Sequence, residues 1–95
     1  MYGTTMIGTL AKGVTAEDVR TELKRWETER NVPGYQSSHV LLADDGTTII
    51  NVAVFESKEA YLALADDPAQ DEWWRTHYAP MLAGDPQWID GSWIS

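Results

Sequence analysis

The segment ADDGTTIINVAVFESKEAYLAL, residues 43–64, decides the fold of this chain. It opens with Asp44-Asp45-Gly46, residue types that tolerate the positive φ angles of a tight hairpin turn. A β-prone run follows at residues 47–55, and its alternating side chains form two faces that are both apolar except for Asn51. Ser57 then provides an N-cap hydroxyl for a helix. The segment therefore predicts a turn, a strand buried on both faces and a helix, in that order.

Outside this segment, similar signals predict three more strands and two more helices. Thr15, followed by Ala16-Glu17-Asp18, marks one helix start, and Asp67 followed by Pro68 marks another. The predicted strands cover residues 4–11, 36–43, 47–55 and 87–94, and the predicted helices cover about 16–30, 58–65 and 68–82. This order, β-α-β-β-α-α-β, predicts an α+β, ferredoxin-like fold in which the helices cover one face of a four-stranded antiparallel sheet.

Composition and charge exclude several classes of protein. The 95 residues suffice for one core, so we expect a single domain over residues 1–95. Fifteen acidic against seven basic residues give a net charge of −8, which disfavours nucleic acids and anionic membrane surfaces as partners. No apolar run is long enough to span a membrane, and the chain has no cysteine and no histidine spacing typical of a metal site. We therefore expect a cytoplasmic protein that binds no nucleic acid, membrane or metal.

The second face of the sheet needs a cover. In the third strand Ile50, Val52 and Val54 lie on the face opposite Asn51, and the second strand is also apolar on both faces. The helices of one chain can cover only one of these faces, and an exposed apolar sheet of several hundred Å² is unusual for a stable monomer. We therefore expect a homodimer in which two copies pack sheet to sheet about a two-fold axis.

The sequence Phe55-Glu56-Ser57-Lys58-Glu59-Ala60-Tyr61 resembles a pattern of the dimeric α/β-barrel superfamily, above all of its antibiotic-biosynthesis-monooxygenase-type domains. In those domains an aromatic residue ends the third strand, and a small polar cap, an acid and an alanine open the next helix. The order of the elements extends the resemblance over nearly the whole chain. It implies a dimeric barrel and, in the cofactor-free branch, oxygenation of a flat aromatic or polyketide-type molecule without a cofactor.

The same resemblance directs attention to Asn51 and Phe55. In some cofactor-free oxygenases an asparagine precedes a tryptophan at the strand end by four residues, and Asn51 and Phe55 reproduce that spacing with phenylalanine in the second place. Phenylalanine lacks the indole N–H donor. The haem-degrading branch uses an asparagine in the first strand, which is absent here, so a haem-degrading function ranks below the cofactor-free one.

Three polar residues are candidates for catalysis. Asn51 interrupts an apolar strand, and its buried amide needs a protein, water or ligand partner. His77, near the end of the third helix, and His39, on the second strand, could transfer a proton at neutral pH. His39 shares a face with Leu41, so it either approaches His77 under the helices or belongs to the dimer interface. A structural role is the alternative for each.

Aromatic side chains are the candidates for substrate binding. The segment DPAQDEWWRTHY, residues 67–78, presents two aromatic faces if it is helical, one for the core and one for a pocket. Arg75 either pairs with Asp71 or balances an anionic ligand. The predicted substrate-binding residues are Trp74, Tyr78, Tyr61, Phe55 and Trp26. The alternative to an enzyme is a non-catalytic, small-molecule-binding or structural dimer of the same fold, in which these aromatics fill the core.

Overall fold

The computed structural model describes all 95 residues, and its elements follow the predicted order. The α+β fold class is confirmed, since the four strands form one antiparallel sheet in the order β2-β3-β1-β4. The first strand begins and ends two residues earlier than predicted. The elements are β1 (Tyr2–Thr9), α1 (Ala16–Arg30), β2 (Tyr35–Leu42), β3 (Thr48–Phe55), α2 (Lys58–Ala65), α3 (Pro68–Trp73) and β4 (Gln87–Ser92).

The predicted helix caps are present. The Thr15 side chain accepts a hydrogen bond from the backbone N–H of Asp18, whose carboxylate accepts one from Thr15 in return. Ser57 accepts from the N–H of Ala60, and Asp67 accepts from the N–H of Ala69. Local sequence signals therefore fix where all three helices begin.

The third helix is less regular than the sequence predicted. An α-helical start is followed by a π-helical turn over Trp74–Tyr78 and a 3₁₀ turn over Ala79–Met81. Pro80 explains the change, because it has no N–H for Thr76 and its ring would clash with the Thr76 carbonyl in a continuing α-helix. The N–H of Ala79 instead bonds the carbonyl of Trp74. The prediction of one uniform helix over 68–82 was wrong for this physical reason.

The two faces of the sheet have different environments. We call the face under the helices the inner face, and it includes Thr4, Met6, Ile49, Asn51 and Phe55. We call the opposite face the outer face, and its side chains, one residue out of phase along each strand, are Thr5, Ile7, His39, Leu41, Ile50, Val52, Val54 and Ile89.

The core lies between the inner face and the helices. Its buried members are Met6, Leu10, Val19, Ile49, Tyr78, Met81 and Leu82. On the outer face, by contrast, Leu41 is 60% exposed and Ile89 is 53% exposed. The helices thus cover one face of the sheet, as predicted, and leave the other without cover from this chain. None of the helices has the length and apolar character needed to cross a bilayer.

Candidate ligand-binding cavity

A cavity of about 420 Å³ lies between the inner face of the sheet and the helices. A volume of this size is in the range of small-molecule sites. Twelve of its eighteen lining residues are hydrophobic, so the walls suit an apolar ligand with a few polar groups. The lining residues are Thr4, Met6, Leu23, Trp26, Ser38, Asn51, Ala53, Phe55, Tyr61, Leu64, Ala65, Gln70, Asp71, Trp73, Trp74, Tyr78, Trp88 and Asp90.

Stacked aromatic rings form one wall of the cavity. The π-helical turn brings Trp74 and Tyr78 into a nearly parallel stack, with ring centroids 4.7 Å apart and an interplanar angle of 13°. Trp88 of β4 continues this wall, since its ring centroid lies 5.0 Å from that of Trp74. Flat aromatic surfaces of this kind favour a flat aromatic ligand.

A second group of rings also lines the cavity, and it adjoins the first, since the ring centroids of Trp73 and Tyr78 are 6.1 Å apart. Trp26 of α1 packs within 6.1 Å of Trp73, and Phe55 lies 5.3 Å from Tyr61, both measured between ring centroids. The Trp26 indole N–H donates to the Gln70 side-chain oxygen at 2.8 Å. The indole N–H of Trp73 is buried and has no partner. Trp73 is therefore a free buried donor in the cavity wall.

Asn51 and Tyr78 form the buried polar pair of the cavity. The Asn51 Nδ2 donates to the Tyr78 hydroxyl at 3.0 Å, while Asn51 Oδ1 is buried without a partner. Burial raises the pKa of Tyr78, and the hydrogen bond from Asn51 offsets only part of that effect. The Tyr78 hydroxyl is therefore protonated at neutral pH and can donate a hydrogen bond to a ligand. The pair offers one acceptor, Asn51 Oδ1, beside one donor, the Tyr78 hydroxyl.

A second polar group lies where β1 and β4 meet. Asp90 Oδ1 accepts hydrogen bonds from the Thr4 hydroxyl at 2.6 Å and from the Tyr61 hydroxyl at 3.0 Å. Burial raises the pKa of Tyr61, and the acceptor and charge of Asp90 act in the same direction, whereas Thr4 opposes them. The register explains the contact, because Thr4 lies directly opposite Asp90 in the sheet.

The two histidines do not meet in this cavity. His39 lies opposite Val52 on the outer face and is exposed, so the arrangement in which it approaches His77 under the helices is wrong. His77 lies on the side of the π-helical turn that faces α1, where its Nδ1 is 3.7 Å from Glu22 Oε2. Neither histidine lines the cavity. The placement of His39 follows from which face of the sheet the helices cover, which the sequence left open.

The cavity contains no basic side chain. Its two carboxylates are Asp71 and Asp90, and Asp71 pairs with Arg75 at 3.0 Å on the exposed side of the third helix. Arg75 therefore takes the surface-pair role rather than that of a ligand counter-charge. No three histidine or acidic side chains come close enough together to hold a metal ion. Neither histidine is placed to ligate a haem iron in this cavity.

Six of the eight predicted site residues meet at the cavity: Asn51, Trp74, Tyr78, Tyr61, Phe55 and Trp26. Sequence reasoning missed the polar group formed by Thr4 and Asp90, and it missed Gln70 and Trp88. Asp90 carried the same signal as Asn51, a polar residue between apolar neighbours in a strand. Its contact with Thr4 could not be read from the sequence, because the two residues are 86 positions apart.

The fold is found in other proteins. An antibiotic-biosynthesis-monooxygenase-type protein from Nitrosomonas europaea superposes with a TM-score of 0.75 at 16% identity, covering 100% of both chains. The cofactor-independent oxygenase SnoaB of Streptomyces nogalater, solved as a variant, gives 0.67 at 15% identity over 93% of this chain and 90% of its own. A dimeric ferredoxin-like protein of unknown function from Thermobifida fusca gives 0.62 at 19% identity over 95% and 89%.

These likenesses establish the fold. The chain has the fold of antibiotic-biosynthesis-monooxygenase-type ferredoxin-like proteins, as the resemblance in its third strand and second helix predicted. No protein-family model matches the sequence, and no curated protein matches it either. We therefore infer the reaction and the ligand from the shape and the lining residues of the cavity.

Proposed function

We propose that this protein is a cofactor-independent, monooxygenase-like enzyme that binds a flat aromatic or polyketide-type molecule between its sheet and its helices. The observation that carries the proposal is the aromatic-walled cavity of about 420 Å³ with an unpaired buried amide oxygen, that of Asn51. A buried polar atom without a partner is costly, by about 1–3 kcal/mol. A ligand hydroxyl that donates to Asn51 Oδ1 removes that cost.

The binding geometry follows from the shape of the walls. A planar ring system lies against the stacked pair Trp74 and Tyr78, and the other aromatic lining residues, among them Trp26 and Phe55, supply further apolar contact. Its hydroxyl donates to Asn51 Oδ1, and a neighbouring oxygen accepts from the Tyr78 hydroxyl. Two adjacent hydrogen bonds fix the orientation of a ligand that is otherwise held by apolar contact.

The reaction uses the electron density of the substrate itself. An activated CH₂ group of the substrate loses a proton to solvent water, and the resulting anion transfers an electron to O₂. The substrate radical and superoxide combine to a peroxide anion, which takes a proton back from water. The hydroperoxide then loses water and leaves a ketone, so that R₂CH₂ and O₂ give R₂CO and H₂O. The protein stabilises the anion through a placed donor in an apolar cavity, the hydroxyl of Tyr78, whose pKa is raised by burial.

Oxygen uptake tests this proposal. We expect anthrone- or quinol-type compounds to consume O₂ faster with the native protein than in buffer, and anaerobic incubation to leave them unchanged. Tyr78→Phe and Asn51→Leu are expected to lower the rate by about tenfold or more, since each removes one placed hydrogen bond. Tyr35→Phe is the matched control, because Tyr35 bonds Glu27 and Ser38 and does not line the cavity. Absence of uptake across a broad panel would refute the enzymatic function.

The partner we propose is a second copy of the chain. The outer face is apolar at its centre, where Ile7, Ile50 and Val52 lie side by side, and no segment of this chain covers it. Leu41 and Ile89 extend this surface towards the two sheet edges. A neighbour of the same fold is described as dimeric, which supports the same assembly here. The two sheets would pack face to face, with His39 in the interface.

A non-catalytic binding protein is the second candidate function. The observation that favours it is the absence of both histidines from the cavity, which leaves no imidazole beside the ligand to accept its proton. In that case aromatic compounds bind to the cavity without consuming oxygen. Binding measured by tryptophan fluorescence, in parallel with oxygen uptake, separates the two functions.

A further inference from the structure

The charges around the cavity are all of one sign. No lysine, arginine or histidine is among its lining residues, and the chain as a whole carries a net charge of −8. Asp71 is balanced by Arg75 at 3.0 Å. Asp90 forms no ion pair, so it is the one uncompensated charge in the cavity wall.

The carboxylate of Asp90 is only partly used by the protein. Its Oδ1 accepts from Thr4 and Tyr61, which fixes the orientation of the group, while its Oδ2 accepts no hydrogen bond from any side chain. Tyr61 and Trp88 both line the cavity beside Asp90, and Trp88 lies two residues before it on the same face of β4. A carboxylate in the same cavity wall as aromatic side chains can attract an organic cation by its charge, and the aromatic side chains supply apolar contact to the rest of that ligand.

We propose that the cavity selects its ligand by charge: it takes uncharged or positively charged planar aromatic molecules, with the positive group at Asp90 Oδ2, and excludes aromatic carboxylates. This inference rests on the proposed function and narrows its substrate class. An aromatic acid would be a substrate only after conversion to an ester, an amide or an amine. The Asn51 and Tyr78 pair holds the oxygens of the same ligand two strands away from Asp90.

The test uses three probes of one shape and three charges: naphthalen-2-ylmethylammonium, naphthalen-2-ylmethanol and 2-naphthoate. Dissociation constants are measured by titration calorimetry at neutral pH and low ionic strength with the full chain. We expect the ammonium to bind at least about tenfold more tightly than the carboxylate, since Asp90 attracts one and repels the other at short range. The preference should shrink at high salt, because Asp90 is exposed and its charge is screened by ions in solution.

Asp90→Asn isolates the charge, because asparagine can still accept the hydrogen bonds of Thr4 and Tyr61. It is expected to reduce severalfold the ratio of the dissociation constant of the carboxylate to that of the ammonium. Asp44→Asn is the matched control, since it changes the net charge equally at an exposed turn outside the cavity. If Asp90→Asn does not fold, the ratio of the carboxylate and ammonium dissociation constants is measured for the native protein at low and high salt. A ratio that falls at high salt supports selection by charge, and a ratio that does not change refutes it.

Two outcomes would overturn the inference, and they have different consequences. Charge selection would be refuted if the native protein bound 2-naphthoate as tightly as the ammonium or more tightly. It would also be refuted if the ratio of these two dissociation constants were unchanged by Asp90→Asn and by salt. Neither result would contradict the proposal that the cavity binds a ligand. Failure of all three probes to bind would refute charge selection together with the proposed aromatic ligand site. Oxygen uptake with the neutral compounds named above remains an independent measure of the proposed reaction.

Discussion

Replacing Asn51 and Tyr78 together, by leucine and phenylalanine, should leave the protein at least as stable as the native chain, whereas Tyr78→Phe alone should destabilise it. Tyr78 is 2% exposed, and its hydroxyl is bound by Asn51 Nδ2 at 3.0 Å. Removing the hydroxyl leaves Asn51 Nδ2 without its partner, in addition to Oδ1, which is buried and unpaired already. Burying an unpaired polar group costs about 1–3 kcal/mol, so Tyr78→Phe should lower the free energy of unfolding by that amount.

Asn51→Leu has two opposing effects. It removes the unpaired Oδ1, which is stabilising, and it deprives the Tyr78 hydroxyl of its partner, which is destabilising. These effects are of similar size, so the single variant should change the free energy of unfolding by about 1 kcal/mol or less. In the double variant both polar groups are gone and the side-chain volumes are nearly conserved, so we expect no loss and a gain of up to about 2 kcal/mol.

The measurement is a double-mutant cycle by urea unfolding, followed by tryptophan fluorescence and far-UV circular dichroism. Protein concentration must be equal in all four samples, because a dimer becomes more stable as concentration rises. The coupling free energy between the two positions should be about 1–3 kcal/mol. In thermal unfolding, a change of about 1 kcal/mol in the free energy of unfolding shifts the midpoint temperature by about 4–8 °C for a domain of this size.

Simple addition of the two single-variant losses in the double variant would refute this account of Asn51. A double variant that is stable and no longer binds aromatic ligands would mean that native stability is lowered at this pair to hold a ligand. Tyr35→Phe serves again as the control, since the Tyr35 hydroxyl is less buried and water can replace its partners.

Three further predictions concern the pKa of Asp45 in the hairpin turn, the close approach of Gly34 to α2, and the proposed dimer. Hydrogen bonds from the side chain and backbone of Thr48 lower the pKa of Asp45 to about 2, below the value of about 3.9 in the unfolded chain. These hydrogen bonds therefore stabilise the fold fully above about pH 4, and the stabilisation is lost as the pH falls towards 2. A carboxyl NMR titration should give a midpoint near 2 for Asp45. Gly34→Ala should destabilise the fold by about 2 kcal/mol or more in urea unfolding, because φ is +80° and the new Cβ would lie 2.5 Å from that of Ala60. Val52→Glu, at the centre of the outer face, should convert a sedimenting dimer of 10.7 kDa chains into monomers.

Each of these three predictions would be contradicted by a specific result. Gly13→Ala is the control for Gly34, since φ is +86° there and nothing lies within 4 Å of an added Cβ; equal losses at both positions would mean that the contact with α2 is unimportant. An Asp45 midpoint near 3.9 would mean that its hydrogen bonds do not persist in solution. A native chain that sediments as a monomer at high micromolar concentration would remove the argument for a dimer.

The sequence by itself determined the order of the elements and the residues at which the three helices begin. Thr15, Ser57 and Asp67 cap helices through their own side chains, and Asp45 with Gly46 forms a hairpin turn through local backbone geometry. These signals act over three or four residues, so they can be read from neighbouring letters. The one local feature that was misjudged, the π-helical turn, follows from Pro80, whose effect on Thr76 was equally local.

Only the tertiary structure decided which of the candidate side chains share a cavity. Alternation along a strand assigns residues to two faces, but it does not say which face the helices cover. Packing under the helices buries Ile49 and Phe55 and leaves His39 on the other side. The contact of Thr4 with Asp90 depends on the pairing of the first strand with the last. Such contacts arise from closing the whole chain around one core, and no pattern of neighbouring residues encodes them.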